Sequence, residues 1–530
     1  MNFYNLLQQH VSSVPERIAF YDEDRSISYI TLKSEVDRLA NLMHELGCAR
    51  GDRLALWMPN CIEWLVTFLA SAKLGITVIS VNTRFKAHEV GQLIQRGECK
   101  WLAVWPTFKG LPFAEILNKL DSSLINNIKG IIGVGDCTEI KSQFSQIQVK
   151  PFGSQPKYES ILNDLGQESD GALVYTTSGT TSLPKLVLHR QAGLVEHGKV
   201  AGDAYGVTSE SVVLLAAPLC GAFGFSTALT ALAKGATLVS LPVFNSSKTV
   251  EQIRAYKVTH TFANNEMIDL LLREVAGEIN PFPSLEYVGF ASFAPSIDDL
   301  PERALKAGIP IAALYGSSEL QALVAGQKLS SVWENRRMAG GTLSAPNAQV
   351  RAVDFVSGKT LTYGEVGYIE IKAPSIMSEY LGDKKSNKEA FTEDGFFRTG
   401  DLGYTISSDT FVYQGRGGDH LRLGGFLVNP REIEGFIERI PGVKAVQVVG
   451  SEFMGKLVPI AFVIPDGSLD LSEDSIISVC TKEMAKFKVP TRIKFIDEFP
   501  MVQSANSNKV QRHVLQEMAK DLLKKESLVN

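Results

Sequence analysis

Short apolar runs alternate with stretches of helical spacing from the N-terminus to about Leu314, and this alternation most narrows what the chain can become. Residues 31–46 place Leu32, Val36, Leu39, Leu42 and Met43 on one helical face. Residues 54–58 then read as a strand, 62–74 as a helix closed by Gly75, 78–81 as a strand, 87–95 as a helix and 101–105 as a strand. Parallel neighbours need a crossover long enough to hold a helix, so the pattern predicts parallel sheets covered by helices. Residues 17–21 and 26–29 read as a hairpin around Asp22-Glu23-Asp24, and residues 142–158 as a surface connection. Residues 211–233 carry no charge and are about long enough to span a bilayer. Pro218, Gly221 and Gly224 interrupt them, so we read a buried strand, a turn and a buried helix, with no membrane span.

The pattern changes twice more. From Gln349 it turns all-β, with strands at 368–372 and 410–414 between Gly-rich turns. After Arg416 it resets into helix 430–440, strands 445–449 and 459–464, helix 472–483 and strand 492–496. The pair Gly417-Gly418 reads as a linker. The expected fold class is therefore α/β. A large N-terminal domain of helix-covered sheets with a β-rich subdomain spans 1–416, and a small α+β domain spans 417–530.

Composition excludes several classes. With 45% hydrophobic and 21% charged residues the chain is globular, and a net charge of −5 supplies no basic field for nucleic acid or anionic membrane. The six cysteines include no C-x-x-C pair, which argues against a zinc ribbon or disulfide scaffold and for a reducing, cytoplasmic setting. The first ten residues do not read as a signal peptide.

Chemistry concentrates in a few motifs. The strand at 172–176 runs into Thr177-Ser178-Gly179-Thr180-Thr181-Ser182-Leu183-Pro184-Lys185. Glycine and small hydroxyl residues let backbone N–H and side-chain O–H groups converge on phosphate oxygens, and a lysine completes the anion site. No G-K-[ST] is present, so this is not a Walker A loop. Tyr315-Gly316-Ser317-Ser318-Glu319 follows the apolar strand 309–314. There Glu319 reads either as a Mg²⁺ ligand or as a solvated carboxylate, and Tyr315 suits stacking on a base. Asp401, in Thr399-Gly400-Asp401, reads either as an acceptor for ribose hydroxyls or as an Asx turn. Gly415-Arg416 and Asn508-Lys509 complete the set, although an isolated lysine is ordinarily solvent-exposed.

Taken in order with Gly364-Glu365-Val366-Gly367, Pro430-x-Glu432-Ile433-Glu434, Lys488-Val489-Pro490 and Phe499-Pro500, these motifs resemble the adenylate-forming superfamily of acyl-CoA synthetases, peptide-synthetase adenylation domains and luciferases. The resemblance covers nearly the whole chain and is closest to free-standing acyl-CoA synthetases. It implies a mobile C-terminal domain and a two-step reaction. A carboxylic acid and ATP·Mg²⁺ give an acyl-adenylate and pyrophosphate, and the acyl group then passes to the thiol of CoA.

By resemblance, Thr177, Ser178, Gly179, Thr180, Thr181 and Lys185 cradle the β- and γ-phosphates, Ser318 meets the α-phosphate, and Glu319 holds Mg²⁺. Tyr315 stacks on adenine, Gly316 belongs to the ATP site, Asp401 binds the ribose with Arg416 nearby, and Lys509 bridges carboxylate and α-phosphate. Gly418 is the hinge, and a Gly-rich face near Gly424-Gly425 follows it to the thiol tunnel. The chain departs from the pattern at Ser182 and Leu186, where glycine is usual, at Gly418, where Asp or Lys is usual, and at Asn508.

Gly221, Phe223 and Phe290 are expected to line an acyl pocket, with Phe225 and Phe293 as further candidates. Ala222 stands where amino-acid-activating relatives carry an Asp, which disfavours an α-amino acid. His189 and His197 are open between lining the site and structural work, and His420 is unassigned. The expected activity is an AMP-forming carboxylate:CoA ligase acting on a medium-chain, alicyclic or aromatic acid, in a monomer or homodimer. The alternatives are loading of an acyl carrier protein and a non-catalytic nucleotide-binding relative.

Overall fold

The computed structural model describes residues 1–157, 163–177, 184–291, 297, 299–417, 421–423, 426–453, 456–503 and 508–527. Among these, two helices decide how the larger part assembles. Ile62–Leu74 and Ala222–Lys234 are apolar on nearly every side, and almost all of their residues are buried. A helix without a polar face needs cover all round. These two lie in the layer between two sheets, with the Phe68 and Phe225 rings edge to face at 4.9 Å. Most of their polar groups are satisfied, although the buried Trp64 indole N–H has no partner among the described residues. Lys73 bonds Asp37 Oδ1 at 2.7 Å, and Thr227 donates to the Phe223 carbonyl at 2.9 Å. Both helices end on a left-handed glycine, Gly75 at φ 70° and Gly235 at φ 67°. The uncharged stretch 211–233 is thus strand Val212–Leu215, a turn and a buried helix, as expected. No helix among the described residues is long and apolar enough to cross a membrane.

Thirteen described strands form the larger sheet. Thr237–Ser240, Val212–Leu215, His260–Asn264, Tyr287–Ala291 and Ile311–Ser317 run parallel. Gln321–Gly326 then pairs antiparallel with Ile311–Ser317, and the expected β-rich region continues from it through Gly340–Leu343, Thr410–Arg416, Phe397–Thr405, Gly367–Lys372 and Gln349–Val353. Ile311–Ser317 is therefore where the sheet changes direction, the kind of place where α/β proteins bind ligands. In the second sheet, Glu379–Tyr380, Leu186–Arg190 and Gly171–Thr176 are antiparallel, and Thr77–Ser80, Arg53–Trp57, Trp101–Val104, Gly130–Gly133 and Gln148–Pro151 continue it in parallel. The last of these corrects the reading of 142–158 as a bare connection. It is a four-residue edge strand too short to show a period, and an edge tolerates Pro151.

The C-terminal residues form a separate small domain. Strands Val443–Phe453, Lys456–Pro465 and Arg492–Phe495 make its sheet, covered by helices Pro430–Ile437, Glu473–Glu483 and Arg512–Ser527. Its two apolar clusters, around Val446 and Phe462, share no residue with those of the larger part. All six cysteines are free and buried, and burial pushes the Cys99 thiol up to about 12 and Cys480 up to about 11.

Helix Gln191–Ala204 crosses Ala222–Lys234 at Gly198, where a Cβ would lie 2.7 Å from the Leu229 carbonyl oxygen and 2.8 Å from Ala233 Cβ. Gly198→Leu should therefore force the helices apart and destabilise the fold by about 1–3 kcal/mol. The urea unfolding midpoint should fall accordingly, and an unchanged midpoint would refute the close crossing.

Candidate functional site

Strands Gly171–Thr176 and Leu186–Arg190 pair with Thr176 opposite Leu186, and the Thr177 N–H donates to the Lys185 carbonyl at 3.0 Å. The Ser/Thr/Gly motif is thus the connection of a hairpin. Ser178, Gly179, Thr180, Thr181 and Ser182 lie outside the described residues, but Thr177 and Lys185 frame them. Arg96 fixes the exit by donating to the Pro184 carbonyl at 2.9 Å. Leu186 is buried in the core, so its side chain does not obstruct the loop.

The Lys185 ammonium lies 4.5 Å from the centre of the Tyr380 ring, and the Tyr380 hydroxyl donates to Glu319 Oε1 at 3.0 Å. Lys185, at the end of the connection, and Glu319 are therefore bridged by Tyr380. Sequence reasoning missed Tyr380. It belongs to the two-residue strand Glu379–Tyr380, which places it opposite Val187, and such a strand has no periodicity to detect. Asn387 holds its backbone, accepting from Tyr380 N at 2.6 Å and donating to Tyr380 O at 2.8 Å. Burial and the neighbouring Glu319 charge both raise the Tyr380 hydroxyl pKa, so it remains a donor.

The turn bearing Glu319 is supported from beneath. A Cβ on Gly316 would come within 2.6 Å of Ala322 Cα, so the returning chain requires glycine there. His189 Nε2 bonds the Ser318 carbonyl at 2.8 Å, and His197 Nε2 bonds the Ala322 carbonyl at 2.7 Å. Burial pushes both imidazoles down to about 4, so at neutral pH each is uncharged, in the tautomer that donates from Nε2. Both histidines anchor the turn.

In the third group Tyr315 and Asp401 are buried and the Arg416 side chain is exposed. Tyr315 Oη donates to Asp401 Oδ2 at 2.5 Å, and Arg416 Nη1 donates to Oδ1 at 2.7 Å. Asp401 lies in strand Phe397–Thr405 directly across from Arg416, which corrects its reading as a turn residue. Gly400, at φ 73°, gives the strand a turn-like residue, and the register shifts between Leu402 and Gly403. Burial raises the Asp401 carboxyl pKa and the Arg416 charge opposes this, while the Asp401 charge raises the guanidinium. The Glu319 charge also reaches both groups. The Tyr315 ring is held edge-on by Phe411 at 5.0 Å.

The expected acyl-pocket residues are only partly brought together. Gly221 and Phe223 stand at the start of helix Ala222–Lys234, between the sheets. Phe290 does not join them. Successive strand residues face opposite sides, and Phe290 packs with Val288, Leu271 and Ala304 on the far face. Phe225 packs against Trp64 and Phe68. Phe293, Gly418, His420, Gly424 and Gly425 lie outside the described residues. Lys509 is placed by its backbone alone, opposite Val502 in strand Asn508–Val510.

The family model described as AMP-binding enzyme matches residues 7–381, and that described as AMP-binding enzyme C-terminal domain matches residues 432–506. The chain is 27% identical to a 2-succinylbenzoate–CoA ligase of Enterococcus faecalis, over 96% of this chain and 97% of that protein. It is 25% identical to the mitochondrial medium-chain acyl-CoA ligase ACSF2 of Homo sapiens, over 96% of this chain and 86% of that protein. Among solved structures, ATP-bound MatB from Rhodopseudomonas palustris matches with a TM-score of 0.82 at 23% identity, over 99% of this chain and 100% of that chain. The o-succinylbenzoate coenzyme A synthetase MenE of Bacillus subtilis, in complex with AMP, matches with a TM-score of 0.79 at 24% identity, over 97% and 98%.

The two neutral histidines set an acid limit. Their folded pKa values lie below the unfolded 6.5, so the stability they permit is complete above pH 6.5 and is lost as pH falls towards 4. By the free energy of one pKa unit this amounts to roughly 3 kcal/mol for each histidine. Urea midpoints should fall across that window, and His197→Gln should make the fall shallower. An equal slope in the variant would show that His197 titrates normally.

Proposed function

The chain belongs to the AMP-binding enzymes, and from that premise we propose a residue-level account of its reaction and substrate. It is an AMP-forming acid–thiol ligase that uses ATP, Mg²⁺ and CoA, activating a carboxylic acid as its acyl-adenylate. One observation carries the account. Lys185, Tyr380, Glu319, Tyr315, Asp401 and Arg416 are linked through contacts and charges where the larger sheet changes direction.

We assign the 177–185 connection and Lys185 to the β- and γ-phosphates, Ser318 to the α-phosphate, and the Tyr315 ring with Gly316 to adenine. Each Asp401 oxygen already accepts one bond, and a carboxylate oxygen has two lone pairs, so one remains on each for a ribose hydroxyl. Arg416 keeps that carboxylate charged and in place. Mg²⁺ takes one or two carboxylates beside phosphate oxygens and water. Glu319 fits that role, because it is half-buried and Tyr380 fixes its Oε1. Among the described residues no group of three or more His, Cys, Asp and Glu competes for a cation. When bound, the ion offsets phosphate charge.

Lys509 supplies the positive charge for bond formation, as the acid oxygen attacks the α-phosphorus and pyrophosphate leaves. Residues 417–530 then turn about Gly418, removing Lys509 and admitting the thiol, which attacks the acyl carbon and releases AMP. The independent apolar clusters of the small domain support such a turn. The acid we favour is medium-chain, alicyclic or aromatic, because Ala222 and Phe223 offer no partner for an ammonium group. The medium-chain and succinylbenzoate relatives agree with that range. The buried free thiols suit the cytoplasm.

Acid-dependent ATP–pyrophosphate exchange is the direct test, and silence with every acid of a broad panel would end the proposal. Lys509→Ala should lower exchange by about 10²–10³-fold. It should leave thioester formation from preformed acyl-adenylate far less affected, and equal loss in both steps would remove Lys509 from the first. Tyr380→Phe keeps the ring under Lys185 but loses the bond to Glu319. It should reduce kcat/KM for exchange by about tenfold, and an unaltered kcat/KM would make that bond irrelevant.

A further inference from the structure

Gln321 opens strand Gln321–Gly326 with none of its surface exposed and a φ of 67°. Residues with side chains rarely occupy that left-handed region, yet Leu323 repeats it at φ 68°. The conformation is held from outside, by His197 on the Ala322 carbonyl and by the close backbone of Gly316. Its effect is to place the Gln321 carboxamide in the layer between the two sheets. There Oε1 accepts from the Tyr175 hydroxyl at 3.0 Å and from Ser226 Oγ at 3.1 Å. Nε2 has no partner among the described residues. Turning the amide over does not repair this, because the oxygen would then be the orphan. A buried donor left without an acceptor is costly, and such groups ordinarily find one.

We propose, resting on the ligase reading above, that Gln321 reads the substrate acid. Its Nε2 donates to a neutral oxygen that the acid carries beyond its carboxylate: an oxo, ether or hydroxyl oxygen. Position supports this. Gln321 lies two residues beyond Glu319, and its partner Ser226 lies five residues beyond Gly221, about 7.5 Å along the helix axis. An acid whose carboxylate sits beside Ser318 and Glu319 would extend a few carbons to reach the amide. The surroundings decide that the oxygen is neutral. Phe225 and the uncharged His189 flank Tyr175, at 6.3 Å and 5.6 Å between ring centres. Both recorded Gln321 side-chain partners are hydroxyls, not cations. A second carboxylate would be buried there without a counter-charge. Gln321 is thus a specificity-determining residue that favours oxygen-bearing monoacids over plain alkyl or aryl acids and over dicarboxylates.

The test uses the full chain and matched acids, with AMP release read as kcat/KM: hexanoate against its oxo derivatives, phenylbutanoate against benzoylpropanoate, and cyclohexylacetate against oxocyclohexylacetate. The wild-type enzyme should favour the oxygen-bearing member of at least one pair by about tenfold or more, because the plain acid leaves the amide unpaired. Gln321→Leu, of similar size but unable to donate, should bring that ratio to unity or below. Gln321→Met gives the same reading should the leucine variant fold poorly. Equal use of both members of every pair by the wild-type enzyme would overturn the inference and leave the ligase reading intact. So would an equal slowing of both members in the variants, which would mean that a buried water satisfies the amide. Absence of AMP release with every acid would overturn the inference together with the ligase reading.

Discussion

Two helices with almost no polar face have to be hidden, and that requirement shapes the larger part of the molecule. Neither Ile62–Leu74 nor Ala222–Lys234 could rest on a single sheet without leaving apolar side chains in water. Each large side chain so exposed would forgo about 1.5–3 kcal/mol. Enclosing both helices between two sheets removes that loss and brings the ends of Gly171–Thr176 and Ile311–Ser317 side by side. Lys185 and the Glu319 turn are neighbours because of apolar packing, and no direct bond between them is needed to explain it.

The charges around Glu319 and Asp401 are arranged with similar economy. The Tyr315–Asp401–Arg416 chain ties the strand at the change of direction to the antiparallel half of the sheet. The Arg416 end of this pair is exposed to solvent, so the pair adds little net stability and its worth lies in fixing a carboxylate in one orientation. Beneath Glu319 the opposite choice is made, since the supporting groups are imidazoles held neutral by burial. A permanent cation in their place would be buried without a counter-charge.

Much of this was legible in the sequence. Helix Ile62–Leu74 and its glycine stop, the uncharged helix, the hydroxyl-rich loop and the separate C-terminal domain are written in periodicity and composition, which local residues control. What escaped depends on long-range pairing. Tyr380 is placed beside Glu319 by a two-residue strand defined by its partner. Phe290 looked like a pocket residue until strand alternation turned it to the far face. Asp401 looked like a turn because Gly400 beside it is a turn residue by type, although the strand runs through it, and the orphan amide of Gln321 follows from backbone angles that no residue pattern announces.

The cysteines offer an experimental opening. Each of the six native thiols is shielded from solvent, and burial suppresses the thiolate that a maleimide would attack. One cysteine engineered on the exterior of each domain would therefore react selectively in the native enzyme without stripping its own sulfurs first. A donor and an acceptor dye at two such positions would turn the proposed reorientation of the small domain into a distance that can be followed through a single turnover.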